Sequence, residues 1–329
     1  METVANMVPV LVRLVAFLIG AIVVVFGNAL VMGYMERKLA GHFQRRPGPM
    51  EVGFHGILQL LVDGFKLMGK QLVVPAQADK KLFILAPMLS FVPVFLPLLV
   101  IPFSDKIQAF DLDVGLLFIL AVASINVLAV LVGGWGSNNK YSLFGAFRSV
   151  AQNVAYEIPM LIALLSVVFV TNTFSLKGIV AAQSGGSWFL FFQPLAFLIY
   201  IICMVAETNR APFDLPEAES ELTAGFHTEY SGMSFSLFMM AEYTNMFIAC
   251  SIATVFFLGG TSGIPLPYFE YTGIIWFLAK VYFLMFFLVW IRWTYPRTRF
   301  DQLMNFCWKY LIPFSLVNLL LTVVIVKLI

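Results

Sequence analysis

The sequence predicts an all-α integral membrane protein. About eight transmembrane helices and one interfacial amphipathic helix form a single polytopic domain over residues 1–329. Three observations carry this reading. Hydrophobic residues fill 60% of the chain and charged residues only 12%, with a mean hydropathy of +0.91. A helix needs about 20 apolar residues to cross ~30 Å of hydrocarbon, and such runs recur at about 10–35, 82–103, 114–134, 148–171, 188–206, 234–258, 273–291 and 310–328. Lys and Arg gather in alternate loops: 36–81, 135–147 (with Arg148 at its edge), 207–233 and 292–309 hold fifteen, against Lys106, Lys177 and Lys327 on the other side. By the positive-inside rule those four loops face inward and both termini face outward. The first run is too long for a cleavable signal peptide and is expected to span.

Composition also excludes several chemistries. Cys203, Cys250 and Cys307 are isolated, without the C-x-x-C spacing that iron–sulfur or zinc ligation uses. His42, His55 and His227 all fall in inner loops, which argues against a bis-histidine haem inside the membrane. No P-loop or dinucleotide fingerprint is present. No catalytic residue, metal ligand or resident cofactor is therefore expected on this chain alone, and no nucleic-acid partner.

In chain order, the first run ends at Tyr34-Met35-Glu36-Arg37-Lys38. Arg37 and Lys38 suit topology anchoring by snorkelling, but Glu36 does not, because acids contribute little to orientation. After the turn at Gln44–Pro49 a helical pattern runs over 56–71. Gln59, Asp63, Lys66 and Lys70 make one polar stripe among apolar neighbours, the mark of a helix lying on the membrane surface. Pro87, Pro93, Pro97 and Pro102 imply kinks in the second run. The third carries no charge.

The fourth run places Ser149, Asn153 and Glu157 on one face. A carboxylate at bilayer depth is costly and marks a functional candidate by default. Glu242 adds a second such acid in the sixth run, and Lys280, in the seventh, is the one base well inside a span. Opposite signs at depth usually pair, which offers Lys280 either Glu157 or Glu242, and the sequence does not choose. Arg292, Arg297 and Arg299 close the last inner loop, as topology determinants or as positive charge aimed at the acidic loop, a partner or a ligand path.

The densest charge feature is the loop 207–233. It holds six of the eighteen acids, Glu207, Asp214, Glu217, Glu219, Glu221 and Glu229, and one base, Arg210. Phe213, Leu215, Leu222, Phe226 and Tyr230 interrupt the acids, so the segment is expected to pack against the bundle. Crowded, partly desolvated carboxylates titrate as a coupled set; a solvated face that docks a basic partner is the other reading. Pro216-Glu217 looks like the opening of a short helix, with Glu217 and Glu221 on one face and Glu219 on another.

The order E-T-N-R-A-P-F-D-L-P-E-A-E-S-E-L over 207–222 resembles the signature loop of the quinone-site membrane subunit of respiratory complex I, the H subunit in bacteria and its counterpart in mitochondria. Further matches are Gly134-Trp135-Gly136-Ser137-Asn138-Asn139-Lys140-Tyr141, Ala151-Gln152 with Tyr156-Glu157, Ala241-Glu242-Tyr243-Thr244-Asn245-Met246, and Trp290-Ile291-Arg292 with 296–304, so the likeness covers almost the whole chain. Gln71 and Trp293 depart from the family pattern.

The resemblance implies a subunit joining the peripheral redox arm to the proton-translocating membrane arm, in a bacterial inner membrane in preference to a mitochondrial one. It implies quinone as substrate, with FMN and iron–sulfur clusters on partner subunits, and membrane lipid around the chain. Glu36, Arg37, Asp63, Lys66, Arg292 and Arg299 are the quinone-site candidates. Glu157, Glu207, Asp214, Glu217, Glu219, Glu221, Glu229, Glu242 and Lys280 are the proton-coupling candidates. Two rivals stay open: the equivalent subunit of a membrane-bound hydrogenase or ferredoxin-linked complex, and a stand-alone ion transporter, against which no inverted repeat is visible.

Overall fold

The computed structural model describes residues 2–104, 107–183, 185–216, 219–263 and 272–328. Among them every regular element is helical, with no β-strand. Seven helical stretches are long and apolar enough to cross a membrane: Leu14–Phe43, Lys80–Val100, Gly115–Gly136, Lys140–Thr171, Gly232–Phe257, Thr272–Thr294 and Phe300–Leu328.

In chain order, α1 is Glu2–Phe43 and α2 is Gln59–Gly69. The second apolar run divides into α3, Lys80–Phe91, and α4, Phe95–Val100. Pro93 lies in the break, where it supplies no N–H to continue the ladder. Helix α5 is Gly115–Gly136 and α6 is Lys140–Thr171. Asn139 opens α6 by accepting from the Tyr141 N–H at 2.9 Å, an N-cap satisfying one orphan donor.

The run expected at 188–206 is also interrupted. After α7, Leu176–Ala182, it becomes α8, Phe189–Phe192, and α9, Pro194–Glu207. Pro194 disfavours helical geometry at the residue before it, and Gln193 leaves the helix at φ −130°, ψ 54°. The buried Gln193 amide is satisfied across the bundle, donating to Thr322 at 3.0 Å and accepting from Asn318 at 3.2 Å. Then come α10, Glu219–Leu222, α11, Gly232–Phe257, α12, Thr272–Thr294, α13, Phe300–Phe306, and α14, Ile312–Leu328. A π-turn at Cys307–Leu311 joins the last two.

Helix α6 is the packing centre, flanked by α5, α9 and α14. Small residues permit the closest approaches: a Cβ on Gly145 of α6 would stand 2.9 Å from Gly225 Cα, so only two glycines let the 207–233 loop seat there. Polar side chains pin the ends, with Tyr156 Oη donating to the Leu303 carbonyl at 3.0 Å and Tyr200 Oη to the Ala249 carbonyl at 2.8 Å.

The interfacial helix is shorter than the expected 56–71. Its entry is a 3-10 turn at Phe54–Gly56. Gly56 takes φ +79°, and a Cβ there would collide with the Pro49 carbonyl, so the chain turns before α2 can begin. Helix α2 leans on α1 through Leu60 against Gly33, while Phe65 and Met68 remain exposed on its outer face.

Candidate functional site

The 207–233 loop is folded down onto the bundle, as its interspersed apolar residues predict. Leu215, Leu222, Phe226 and Tyr230 are all buried. Tyr230 stacks on Phe83 with ring centroids 4.2 Å apart, and burial pushes its phenol well above the ordinary value.

The loop starts from a Schellman turn. The Asn209 N–H donates to the Ala206 carbonyl at 3.2 Å and the Arg210 N–H to that of Val205 at 3.4 Å. Asn209 adopts φ +49°, the left-handed conformation that asparagine tolerates better than most residues. Gln152 on α6 clamps the turn by donating to the Ala206 and Phe213 carbonyls at 2.7 and 2.8 Å. The effect is to divide two neighbouring charges between two environments, Glu207 on one side and Arg210 on the other.

On the Arg210 side lies a buried chain of alternating charge. Arg210, 5% exposed, stands 3.3 Å from Glu36 of α1 and 3.7 Å from Glu242 of α11. Glu36 also pairs with Arg292 at the end of α12 and accepts from Tyr243 Oη at 2.9 Å. Glu242 continues to His227 Nε2 at 3.3 Å. The order is Arg292, Glu36, Arg210, Glu242, His227. The Arg210 guanidinium also lies 5.1 Å from the Tyr243 ring centre, within cation–π range. Two buried carboxylates beside two guanidiniums can stay ionised where either alone could not.

On the Glu207 side is a cavity of about 40 Å³, lined by Ser124, Asn153, Glu157, Glu207, Thr208 and Asn245 among others. A water needs roughly 10–15 Å³ of such space, so two or three fit. Glu157 accepts from Ser124 Oγ at 2.9 Å.

The other candidates distribute as follows. Arg37 and Asp63 pair at 2.5 Å, and Gln59 donates to Asp63 at 3.0 Å. Burial pushes the Asp63 carboxyl up, but the Arg37 and Gln59 hydrogen bonds and the Arg37 and Lys66 charges outweigh it and hold it below the usual range. Lys66 is exposed beside this pair. Arg299 stands apart at the start of α13, where its N–H donates to Gln302. Asp214 pairs with Arg297 at 2.8 Å, Glu221 with Arg148 at 2.5 Å, and Glu229 accepts from Asn139 at 2.6 Å. Glu219 begins α10, and Glu217 lies outside the described residues.

Lys280 does not pair with Glu157 or Glu242. Its ammonium donates to the carbonyls of Leu258, Gly260 and Ser262 at 2.7, 3.0 and 2.6 Å and sits 4.8 Å from the Trp188 ring centre. The turn after α11 offers three oxygens near at hand, and a cation satisfied there has no need of a distant acid. Sequence reasoning also left Arg210, His227, Tyr243 and Arg148 out of the candidates, while Arg297 does meet the acidic loop, as one of its two readings had it. A single base among six acids was a signal for Arg210; His227 and Tyr243 carried none.

Seven long apolar helices with a buried chain of alternating charge between them define a multi-pass membrane protein that carries ionisable side chains inside its bundle. Comparison with known proteins makes this specific. The family profile described as NADH dehydrogenase matches residues 15–323. A protein of Desulfotalea psychrophila, named as the H subunit of NADH-quinone oxidoreductase, is 50% identical, covering 96% of this chain and 98% of its own. Its namesake from Geobacillus kaustophilus is 49% identical over 88% and 87%. The first of the numbered H subunits of Geobacter sulfurreducens is 48% identical over 90% and 89%. The chain belongs to the NADH dehydrogenase family, among its H-subunit members, as the E-T-N-R-A-P-F-D loop implied.

Proposed function

We propose that this chain is the membrane subunit of a proton-pumping NADH:quinone oxidoreductase, that it forms part of the quinone chamber, and that it couples quinone reduction to proton movement. Electron carriers, FMN and iron–sulfur clusters, reside on partner subunits. The chain lies in a bacterial inner membrane with both termini outside.

The observation that carries the coupling is Arg210, shared between Glu36 and Glu242 at 3.3 and 3.7 Å. Quinone reduction takes up two electrons and two protons and creates transient negative charge. Near Glu36, Arg37, Asp63 and Lys66 that charge raises the proton affinity of Glu36, because a like charge disfavours ionisation. As Glu36 is neutralised, Arg210 turns its full charge on Glu242, and the change passes down the chain. Across the Schellman turn, Glu207 and Glu157 face one small cavity and relay the response into the membrane. Asp214, Glu221 and Glu229, each held by a loop or helix partner, set the field around the entrance, with Glu217 and Glu219 in the same loop. Lys280, caged by carbonyls, fixes the far end of α12.

The test is Glu157→Gln against Glu157→Asp in the assembled complex. The glutamine is expected to lower proton pumping and coupled quinone turnover together, and the aspartate to keep part of both. An unchanged ratio of protons to electrons at full turnover in Glu157→Gln would leave the Ser124 hydrogen bond as the whole role of Glu157. Co-purification with NADH-oxidising activity and flavin separates this reading from a hydrogenase component and from a lone transporter.

A further inference from the structure

A second cavity takes no part in the charge chain. It is an open apolar groove of about 1220 Å³ between α9, α12 and the helix that begins at α13, at the end of the bundle where the charged loops gather. Leu198 and Ile202 form one wall, Phe287 and Ile291 the other, and Phe306 the floor. Its volume exceeds the ~300–1,000 Å³ usual for small-molecule sites. Gln302, Asn305 and Tyr310 add polar groups at the rim, and among the described residues Lys309 is the only charged one lining it. Lys309 is exposed, and no acid pairs with it among the described residues.

The depth of Lys309 follows from helix geometry. The stretch Phe300–Leu328 has 29 residues, about 44 Å at 1.5 Å per residue, longer than the ~30 Å of hydrocarbon. Lys309 and Lys327 lie about 27 Å apart along it by the same rise, so together they bracket the hydrocarbon. Trp290, Tyr295, Trp308 and Tyr310 are exposed around Lys309, as aromatic residues are at a membrane interface.

We propose that this groove binds an anionic glycerophospholipid, with an acyl chain along the α9–α12 cleft and the phosphate on Lys309. Gln302, Asn305 and Tyr310 offer the headgroup neutral donors. An unpaired cation at headgroup depth, above an apolar trough without any acid in its lining, selects an anionic lipid over a zwitterionic one. The site is independent of the coupling chain.

The test reconstitutes the complex that contains this chain in phosphatidylcholine vesicles and adds photoactivatable phosphatidylglycerol or its phosphatidylcholine analogue. After illumination, labelled peptides of this chain are quantified. Phosphatidylglycerol is expected to label segments 198–205, 287–291 or 302–310, in excess over phosphatidylcholine. Lys309→Gln should lower that labelling about fivefold, the weight of one lysine near an anionic surface, and Lys309→Arg should retain it. Equal labelling by both probes in the unaltered chain means ordinary surrounding lipid and overturns the proposal. Unchanged labelling in Lys309→Gln does so too. Absence of lipid label with cross-links to a neighbouring protein instead means that a protein helix fills the groove, which also overturns it. The unaltered chain separates bulk lipid and protein occupancy from a lipid site, the Lys309 variants test the phosphate contact, and no outcome depends on quinone turnover.

Discussion

Replacing Arg210 with methionine removes the cation between two buried carboxylates. Arg210 is 5% exposed, and the side chains of Glu36 and Glu242 are 10% and 13% exposed. Removing one partner of a buried ion pair costs about 3–5 kcal/mol, mainly because the other charge is stranded. Glu36 keeps Arg292 and Tyr243, so the lower end, about 3 kcal/mol, applies. That corresponds to about two units of proton affinity, so either the fold loses this stability at neutral pH or a carboxyl takes up a proton. The assay is thermal denaturation of the purified complex in a double-mutant cycle of Arg210→Met with Glu242→Gln. The double variant should be less damaged than the sum of the singles, by about 1 kcal/mol or more, because neutralising Glu242 removes the charge that Arg210 had balanced. Additivity within about 0.5 kcal/mol, the behaviour of independent sites, would refute the idea that these groups act as one unit.

Asp63 makes a pH-dependent contribution of definite sign. Its folded carboxyl lies below the usual value, so the docking of α2 is supported above about pH 4 and loses that support as pH falls through the lower folded value. Hydrogen exchange of α2 amides should show this acid-labile component, and Asp63→Asn should abolish it. Lys280→Met should lower thermal stability, since a buried acceptor left unsatisfied costs about 1–3 kcal/mol, while the proton-to-electron ratio holds; a fallen ratio in a stable complex would place Lys280 in the relay. Gly145→Ala, whose Cβ meets backbone at 2.9 Å, should unseat the 219–229 segment at a cost of about 1–3 kcal/mol, read as faster proteolysis there. A reporter fused after Ile329 should prove active only outside; a cytoplasmic signal would reverse the assigned orientation.

How far the sequence could be read follows from the range of the forces involved. Span positions depend on local hydropathy, and seven apolar runs reappear as long helices. The break at Gln193 was within reach too, because Pro194 stands in the middle of the fifth run. The seating of the acidic loop was legible because Phe226 and Tyr230 cannot favourably stay in water. Ion-pair partners were not. Arg210 and Glu36 are 174 positions apart, and the choice among several acids rests on helix packing that no local pattern encodes. Lys280 illustrates the limit: the rule that buried opposite charges pair was sound, but backbone oxygens of the turn after α11 were closer. The start of α2 was misplaced because His55 and Gly56 take left-handed backbone, at φ +52° and +79°, a break invisible in hydropathy.

The turn at Thr208–Arg210 has a mechanical consequence. Thr208 and Asn209, between Glu207 and Arg210, are fixed by N–H bonds to the Met204 and Ala206 carbonyls, Arg210 by one to Val205, and Gln152 holds the same segment from α6. The segment is one hydrogen-bonded unit, so a change that displaces its backbone carries the attachment points of both side chains with it.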